Sequence, residues 1–225
     1  EVLYRQLPEG AEGPPPLYRP GSGRREQAEL TLSMMLEEVN LALPAGEAPA
    51  DLYLAGEDNI RHVVQAGGGV EVRFEDAHAV IGDARVGVFD ARPSDLRMLL
   101  DVSEILVALV SPLLRIVTSD GLQHCLNPYG VPFVNKITNM TLHGQPWPSE
   151  GTIRVAASEL SLRFLSDTEL AFNLIDPLPR HPATGGALRG GVEEVLALTV
   201  REDIPREHVL LARALARRGK LVPVR

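Results

Sequence analysis

The chain has 225 residues, of which 44% are hydrophobic and 23% are charged, and its net charge is −8. This is the composition of a folded globular protein, and it excludes wholesale disorder. The acidic balance disfavours a nucleic-acid partner, because basic residues drive that binding by displacing counterions from phosphate groups.

Location is predicted from features that the sequence lacks. No run of eighteen apolar residues occurs, so no transmembrane helix is predicted. The single cysteine, Cys125, cannot form an internal disulfide, which favours a reducing cytoplasm. Because the sequence begins at Glu1 rather than at a methionine, a removed signal peptide is the alternative.

The chain opens with a proline-rich segment and continues into a helix. The first 23 residues hold five prolines, which predicts an extended arm over residues 1–23. From Arg24 to Ala42 apolar side chains recur at steps of three and four residues, which is the period of a helix. Leucine-rich stretches predict two more helices, one beginning at Pro93 and one over Pro205 to Arg218.

Three segments in the remaining chain share a layout of an apolar strand, an acidic turn and a returning apolar strand. These predicted antiparallel hairpins are Glu71–Asp83, Leu114–Pro128 and Leu162–Pro177, with turns at Asp76, Asp120 and Asp167. Aspartate favours turns because its side chain bonds to nearby backbone N–H groups. The sequence therefore predicts an α+β fold of predominantly antiparallel hairpins with about three helices.

The similarity between the hairpins predicts an internal duplication. A looser similarity joins the stretches that begin at Val86 and Leu196, each predicted as a strand followed by a leucine-rich helix. Two related halves, 24–128 and 149–225, would then be joined by a connector over 129–148. A single domain is the alternative.

No metal or cofactor is predicted. The six histidines never occur as H-x-H or H-x-x-x-H, the short spacings that place two ligands together. The glycine-rich segments at 67–69 and 185–191 lack the strand-before, helix-after context of a phosphate-binding loop.

A cysteine nucleophile is the sharpest catalytic hypothesis. Cys125 has His124 beside it and Asp120 close by. Neighbours on a strand point to opposite faces, so a histidine from another strand, such as His143, would have to activate the thiol. The alternative is a buried, unreactive cysteine, and we expect Cys125 to be buried.

Binding residues are predicted in two loops. The segment 127–148 contains Tyr129, Phe133 and Trp147 among prolines and amides, and aromatic side chains of this kind are typical of recognition surfaces. The segment 177–191 carries Arg180 and Arg189, which could hold an acidic partner.

The sequence favours a non-enzymatic protein that binds a macromolecule or assembles with itself, because repeated hairpins leave sheet edges to be covered. The N-terminal arm and Leu221–Arg225 are the predicted coverings, with a second copy or another protein as partner. The alternatives are a hydrolase or transferase with a site around Cys125, and a carrier of an apolar ligand.

Overall fold

The computed structural model describes residues 2–5, 24–61, 71–109, 115–127, 129–131, 136–163, 181, 184, 186 and 191–220. The strands are β1 Val2–Arg5, β2 Leu52–Gly56, β3 Glu71–Arg73, β4 Val86–Ala91, β5 Ile116–Thr118, β6 Leu122–Leu126, β7 Ile137–Leu142, β8 Gln145–Pro146 and β9 Ile153–Ser158. The helices are α1 Arg24–Ala42, α2 Phe74–Ile81, α3 Pro93–Leu109, α4 with described residues 159–163, α5 Val192–Thr199 and α6 Glu207–Lys220. The α+β class is confirmed, as are the predicted α1, α3 and α6.

A four-stranded mixed sheet forms the centre, in the order β4-β9-β2-β5. Strand β9 runs parallel to β2 and antiparallel to β4, while β2 and β5 are antiparallel. The sheet therefore takes strands from both sides of the predicted connector 129–148. The domain boundaries themselves stay a prediction.

Helices cover both faces of this sheet, because apolar residues occupy successive positions in its strands. In β2, Tyr53 and Ala55 face a core with α1, α2 and α6, whereas Leu52 and Leu54 face a second core with α3, α4 and α5. Successive side chains on a strand point to opposite faces. A strand that is apolar at consecutive positions is therefore buried on both sides.

Two smaller sheets flank the centre. Strands β6, β7 and β8 form an antiparallel sheet that encloses a third apolar cluster around Leu122, Ile137 and Met140. Strand β1 pairs with β3 and lies against α6, so the start of the N-terminal arm packs on its own chain. Within the residues that the structure describes, none of the helices has the length and apolar character needed to span a bilayer.

The predicted hairpin at Glu71–Asp83 is wrong, because α2 occupies most of it. Ala77, Val80 and Ile81 are the buried residues of this helix, and they follow the three- and four-residue spacing of a helical face. Asp76 is no hairpin turn, since its carboxylate accepts a hydrogen bond from the Arg73 N–H at 2.6 Å and caps the helix.

The other two predicted hairpins are also wrong over the residues that the structure describes. In Leu114–Pro128 the turn at Asp120 is confirmed, but β5 pairs with β2 and β6 pairs with β7. In Leu162–Pro177 the first two residues are helical, and the rest lie outside the described residues. The hairpin repeat is therefore unsupported.

The strand predicted from Leu196 is also wrong, because α5 runs to Thr199. Its buried residues Val195, Leu196 and Thr199 lie on one helical face, against the central sheet. The predicted edge strand within Leu221–Arg225 lies outside the described residues, as does most of the arm at 1–23.

Candidate functional site

The predicted catalytic residues lie along β6 and the turns at its ends. Cys125 is exposed, so the expectation of a buried thiol is wrong. Of the residues in β6, only Leu122 is buried, because the strand leaves the core towards its C-terminal end. Asp120 is exposed in the preceding turn, and its N–H donates to the Ser33 hydroxyl at 2.8 Å.

The structure does not bring Cys125 and His143 together. In the β6–β7 ladder Cys125 pairs with Thr138, whereas the His143 N–H donates to the Gly121 carbonyl at the other end of β6. At about 3.4 Å per residue, Cys125 and this end lie roughly 10 Å or more apart along the strand. The His143 ring Nε2 is 2.8 Å from the Asp51 carbonyl oxygen. The partly buried His124 adjoins Cys125 in sequence but projects from the opposite side of the strand.

Of the predicted binding residues, the structure describes Tyr129, which lies in an exposed loop, and Trp147, whose indole is partly buried. Tyr129 is 95% exposed. Trp147 is half-buried, contacts two apolar clusters, and its Nε1–H donates to the Pro93 carbonyl at 3.3 Å. Phe133, Arg180 and Arg189 lie outside the described residues.

A cluster of polar side chains lies where the parallel strands β2 and β9 end. The Asn59 amide lies 3.2 Å from the Ser158 hydroxyl and 3.0 Å from the Ser161 hydroxyl, and it donates to both. The two hydroxyl oxygens are 2.9 Å apart, and both serines are buried. The cluster joins the end of β9 to the 3-10 turn Glu57–Asn59 that follows β2.

Local chemistry explains how these serines are held. Ser158 ends β9 and caps α4, since its hydroxyl accepts a hydrogen bond from the Ser161 N–H at 3.1 Å. The Ser161 hydroxyl accepts from the Gly56 N–H at 3.3 Å, which ties α4 to the end of β2. The Ser158-x-x-Ser161 spacing after an apolar strand is a signal that sequence reasoning missed.

Two arginines converge on a carboxylate beside this cluster. Glu159 accepts from the Arg85 Nε–H at 2.8 Å and from the Arg163 Nη2–H at 2.9 Å. The hydrogen bond from Arg85 is the main reason why the pKa of Glu159 falls to about 2. The Arg85 and Arg163 side chains remain 44% and 42% exposed.

We refer to this group as the strand-end site, consisting of Asn59, Arg85, Ser158, Glu159, Ser161 and Arg163. It combines guanidinium donors at the surface with two buried hydroxyl groups and a partly buried amide, which join the end of β2 to the start of α4. Guanidinium groups bind phosphate and carboxylate oxygens with two parallel hydrogen bonds. Among the described residues, no three His, Cys, Asp or Glu side chains come together to hold a metal ion.

No protein-family model and no curated protein matches this sequence. The fold is similar to a 5'-nucleotidase precursor from Thermus thermophilus, with a TM-score of 0.62, 13% identity and coverage of 97% of this chain and 37% of that one. It is also similar to the NAD nucleotidase of Haemophilus influenzae, with a TM-score of 0.58, 12% identity and coverage of 97% and 36%. A putative 5'-nucleotidase from Staphylococcus aureus has a TM-score of 0.54 and 13% identity, with coverage of 100% and 40%.

These similarities correct the prediction of a non-enzymatic protein, because the three solved proteins named above are a 5'-nucleotidase precursor, an NAD nucleotidase and a putative 5'-nucleotidase. At 12% to 13% identity the likeness shows the fold. The chain spans between 36% and 40% of the length of these proteins.

Proposed function

We propose that the chain is a nucleotide-binding domain of a nucleotidase-type hydrolase. The observation that carries this proposal is the likeness to the Thermus thermophilus 5'-nucleotidase precursor, which extends over 97% of the chain at a TM-score of 0.62. The rest of such a protein would supply the groups that cleave the phosphate ester.

The strand-end site is the proposed contact for the phosphate group. Arg85 uses its Nε–H on Glu159, and its two terminal nitrogens have no hydrogen-bond partner among the described residues. These nitrogens are the donors that a phosphate oxygen would accept. Glu159 orients both guanidinium groups, while Ser158 and Asn59 hold the underlying backbone.

Calorimetric titration of the folded chain with a nucleoside 5'-monophosphate tests this function. We expect saturable binding that Arg85→Ala weakens about tenfold, because charge-assisted hydrogen bonds to phosphate are lost. Arg92→Ala is the matched control: Arg92 is exposed at the opposite end of β4, and its loss should leave the affinity unchanged.

The unphosphorylated nucleoside serves as the second titrant and should bind more weakly than the monophosphate. A folded chain that binds neither compound would overturn the proposal. Equal losses in the Arg85→Ala and Arg92→Ala variants would remove the strand-end site from it. Association with a second copy or a protein partner, and the cytoplasmic location, stay predictions from the sequence.

A further inference from the structure

A groove opens on the protein surface where the end of α1 lies beside α6. Its volume is about 360 Å³, which lies at the lower end of the range for small-molecule sites. We call it the Arg213 groove, and it is lined by Glu38, Leu41, Ala42, Arg213, Ala216 and Arg217. None of these residues belongs to the strand-end site, so the groove is independent of the proposed phosphate contact.

Small side chains leave the space for this groove between the two helices. On each helix the lining residues are three and four positions apart, so they share one helical face. Ala42 of α1 and Ala216 of α6 have the shortest side chains among them, and both are partly buried. Their methyl groups give the groove an apolar surface and leave open the volume that longer side chains would fill.

Two guanidinium groups of α6 share one carboxylate of α1 in this groove. The Arg217 Nη2–H donates to Glu38 Oε2 at 3.1 Å, and the Glu38 side chain is buried. Arg213 makes no hydrogen bond or ion pair within the described part of the chain. Burial raises the pKa of the Glu38 carboxyl, and the charges of Arg217 and Arg213 oppose that rise. The groove therefore holds one positive charge in excess, in a chain whose net charge is −8.

The groups that would contact a ligand are accessible from solvent. Arg213 is exposed, and the Arg217 side chain is 53% exposed even while it pairs with Glu38. A guanidinium has several N–H donors, so its hydrogen bond to Glu38 leaves Arg217 with donors for a second carboxylate. Leu41 is 60% exposed, and covering its apolar surface would favour the binding of an aliphatic group.

We infer that the Arg213 groove binds a small carboxylate with an aliphatic chain. Its carboxylate would accept hydrogen bonds from Arg213 and Arg217, and its chain would cover Leu41 and the two alanines. A single negative charge balances the excess positive charge of the groove. A doubly charged phosphate group would instead place surplus negative charge beside Glu38, and like charges at short distance repel.

Calorimetric titration of the folded chain with hexanoate at about pH 7.5 tests this inference, and we expect saturable binding. Acetate carries the charge without the chain, and hexanamide carries the chain without the charge, so each should bind at least about tenfold more weakly. Hexyl phosphate is mainly doubly charged at this pH and should also bind more weakly than hexanoate. No binding of hexanoate, equal binding of hexanamide or tighter binding of hexyl phosphate would overturn the inference.

Variants test whether hexanoate binds in this groove. Arg213→Ala should weaken its binding about tenfold, because a charge-assisted hydrogen bond is lost. The exposed Arg92, just before α3, is the matched control, and Arg92→Ala should leave the affinity unchanged. Ala216→Leu should also weaken binding, because its side chain fills the groove while both guanidinium groups remain, and thermal unfolding verifies that this variant folds. Unchanged affinity in Arg213→Ala, or an equal loss in Arg92→Ala, would place the binding elsewhere and overturn the inference.

Discussion

The phenol of Tyr53 donates a hydrogen bond to Glu207, with 2.9 Å between Oη and Oε1, and both side chains are fully buried. Tyr53 comes from the central strand β2, and Glu207 begins α6. Burial is the main reason why the pKa of Glu207 rises to about 8. The acid is therefore largely protonated at neutral pH, and it stabilises the contact between sheet and helix without a buried charge.

This pair predicts that the free energy of unfolding falls as the pH rises from about 5 to 8. Over that range Glu207 is protonated in the folded chain and ionised in the unfolded chain. The stability that its protonated form contributes below about pH 5 is therefore lost progressively until the pH reaches the folded pKa of about 8. The contribution is at most about 1.4 kcal/mol per pH unit. Urea unfolding at several pH values measures it. Glu207→Gln should flatten this dependence, whereas the exposed control Glu202→Gln should not; equal slopes in all three proteins would contradict the prediction.

The lowered pKa of Glu159 predicts that the free energy of unfolding falls at acidic pH. Its pKa is lowered to about 2 by Arg85 and Arg163, so its contribution is present above about 4.5 and is lost as the pH falls towards 2. Because both arginine side chains are more than 40% exposed, we expect about 1 kcal/mol. Acid titration followed by circular dichroism should show less acid sensitivity in Glu159→Gln. An unchanged acid midpoint would refute this role.

Gly87 permits the close approach of β4 to α4. A Cβ atom at this position would lie 2.6 Å from Leu162 Cδ1 and 3.2 Å from the Thr199 carbonyl oxygen. We expect Gly87→Ala to lower the free energy of unfolding by about 1–3 kcal/mol, because the core has no room for the added methyl group. Urea unfolding of the double variant Gly87→Ala with Leu162→Ala tests the cause. The double variant should lose less stability than the sum of the two single variants, and strict additivity would exclude the clash.

Ser158 holds the strand-end site by several hydrogen bonds at once. Ser158→Ala removes the acceptor for the Asn59 amide and for the Ser161 N–H in a buried position. We expect a loss of about 1–3 kcal/mol in the free energy of unfolding, because the Ser161 N–H loses its cap and the Asn59 amide keeps only the Ser161 hydroxyl as acceptor. Thr152→Ala, at an exposed position just before β9, is the control and should change stability little. A neutral Ser158→Ala would show that solvent replaces the hydroxyl.

Local periodicity determined the long helices by itself. The apolar stripe that includes Leu32, Met35 and Val39 specifies α1, because residues three and four apart share a helical face whatever the rest of the chain does. The period is less decisive in short segments. The apolar pattern of Ala77, Val80 and Ile81 is compatible with a strand buried on both faces and also with one face of a helix. The segment is helical because these residues are buried in one cluster with α1 and α6.

Only the tertiary structure decided the pairing of strands and the composition of the sites. Leu52 pairs with Val155 across about a hundred residues, and no local pattern specifies such a partner. Asn59 meets Ser158 only because β2 and β9 end side by side. Asp101 and Trp147 line one cleft only because α3 packs beside β7 and the segment that follows β8. Sequence patterns report which side of an element is apolar, whereas a site depends on which elements that apolar surface brings together.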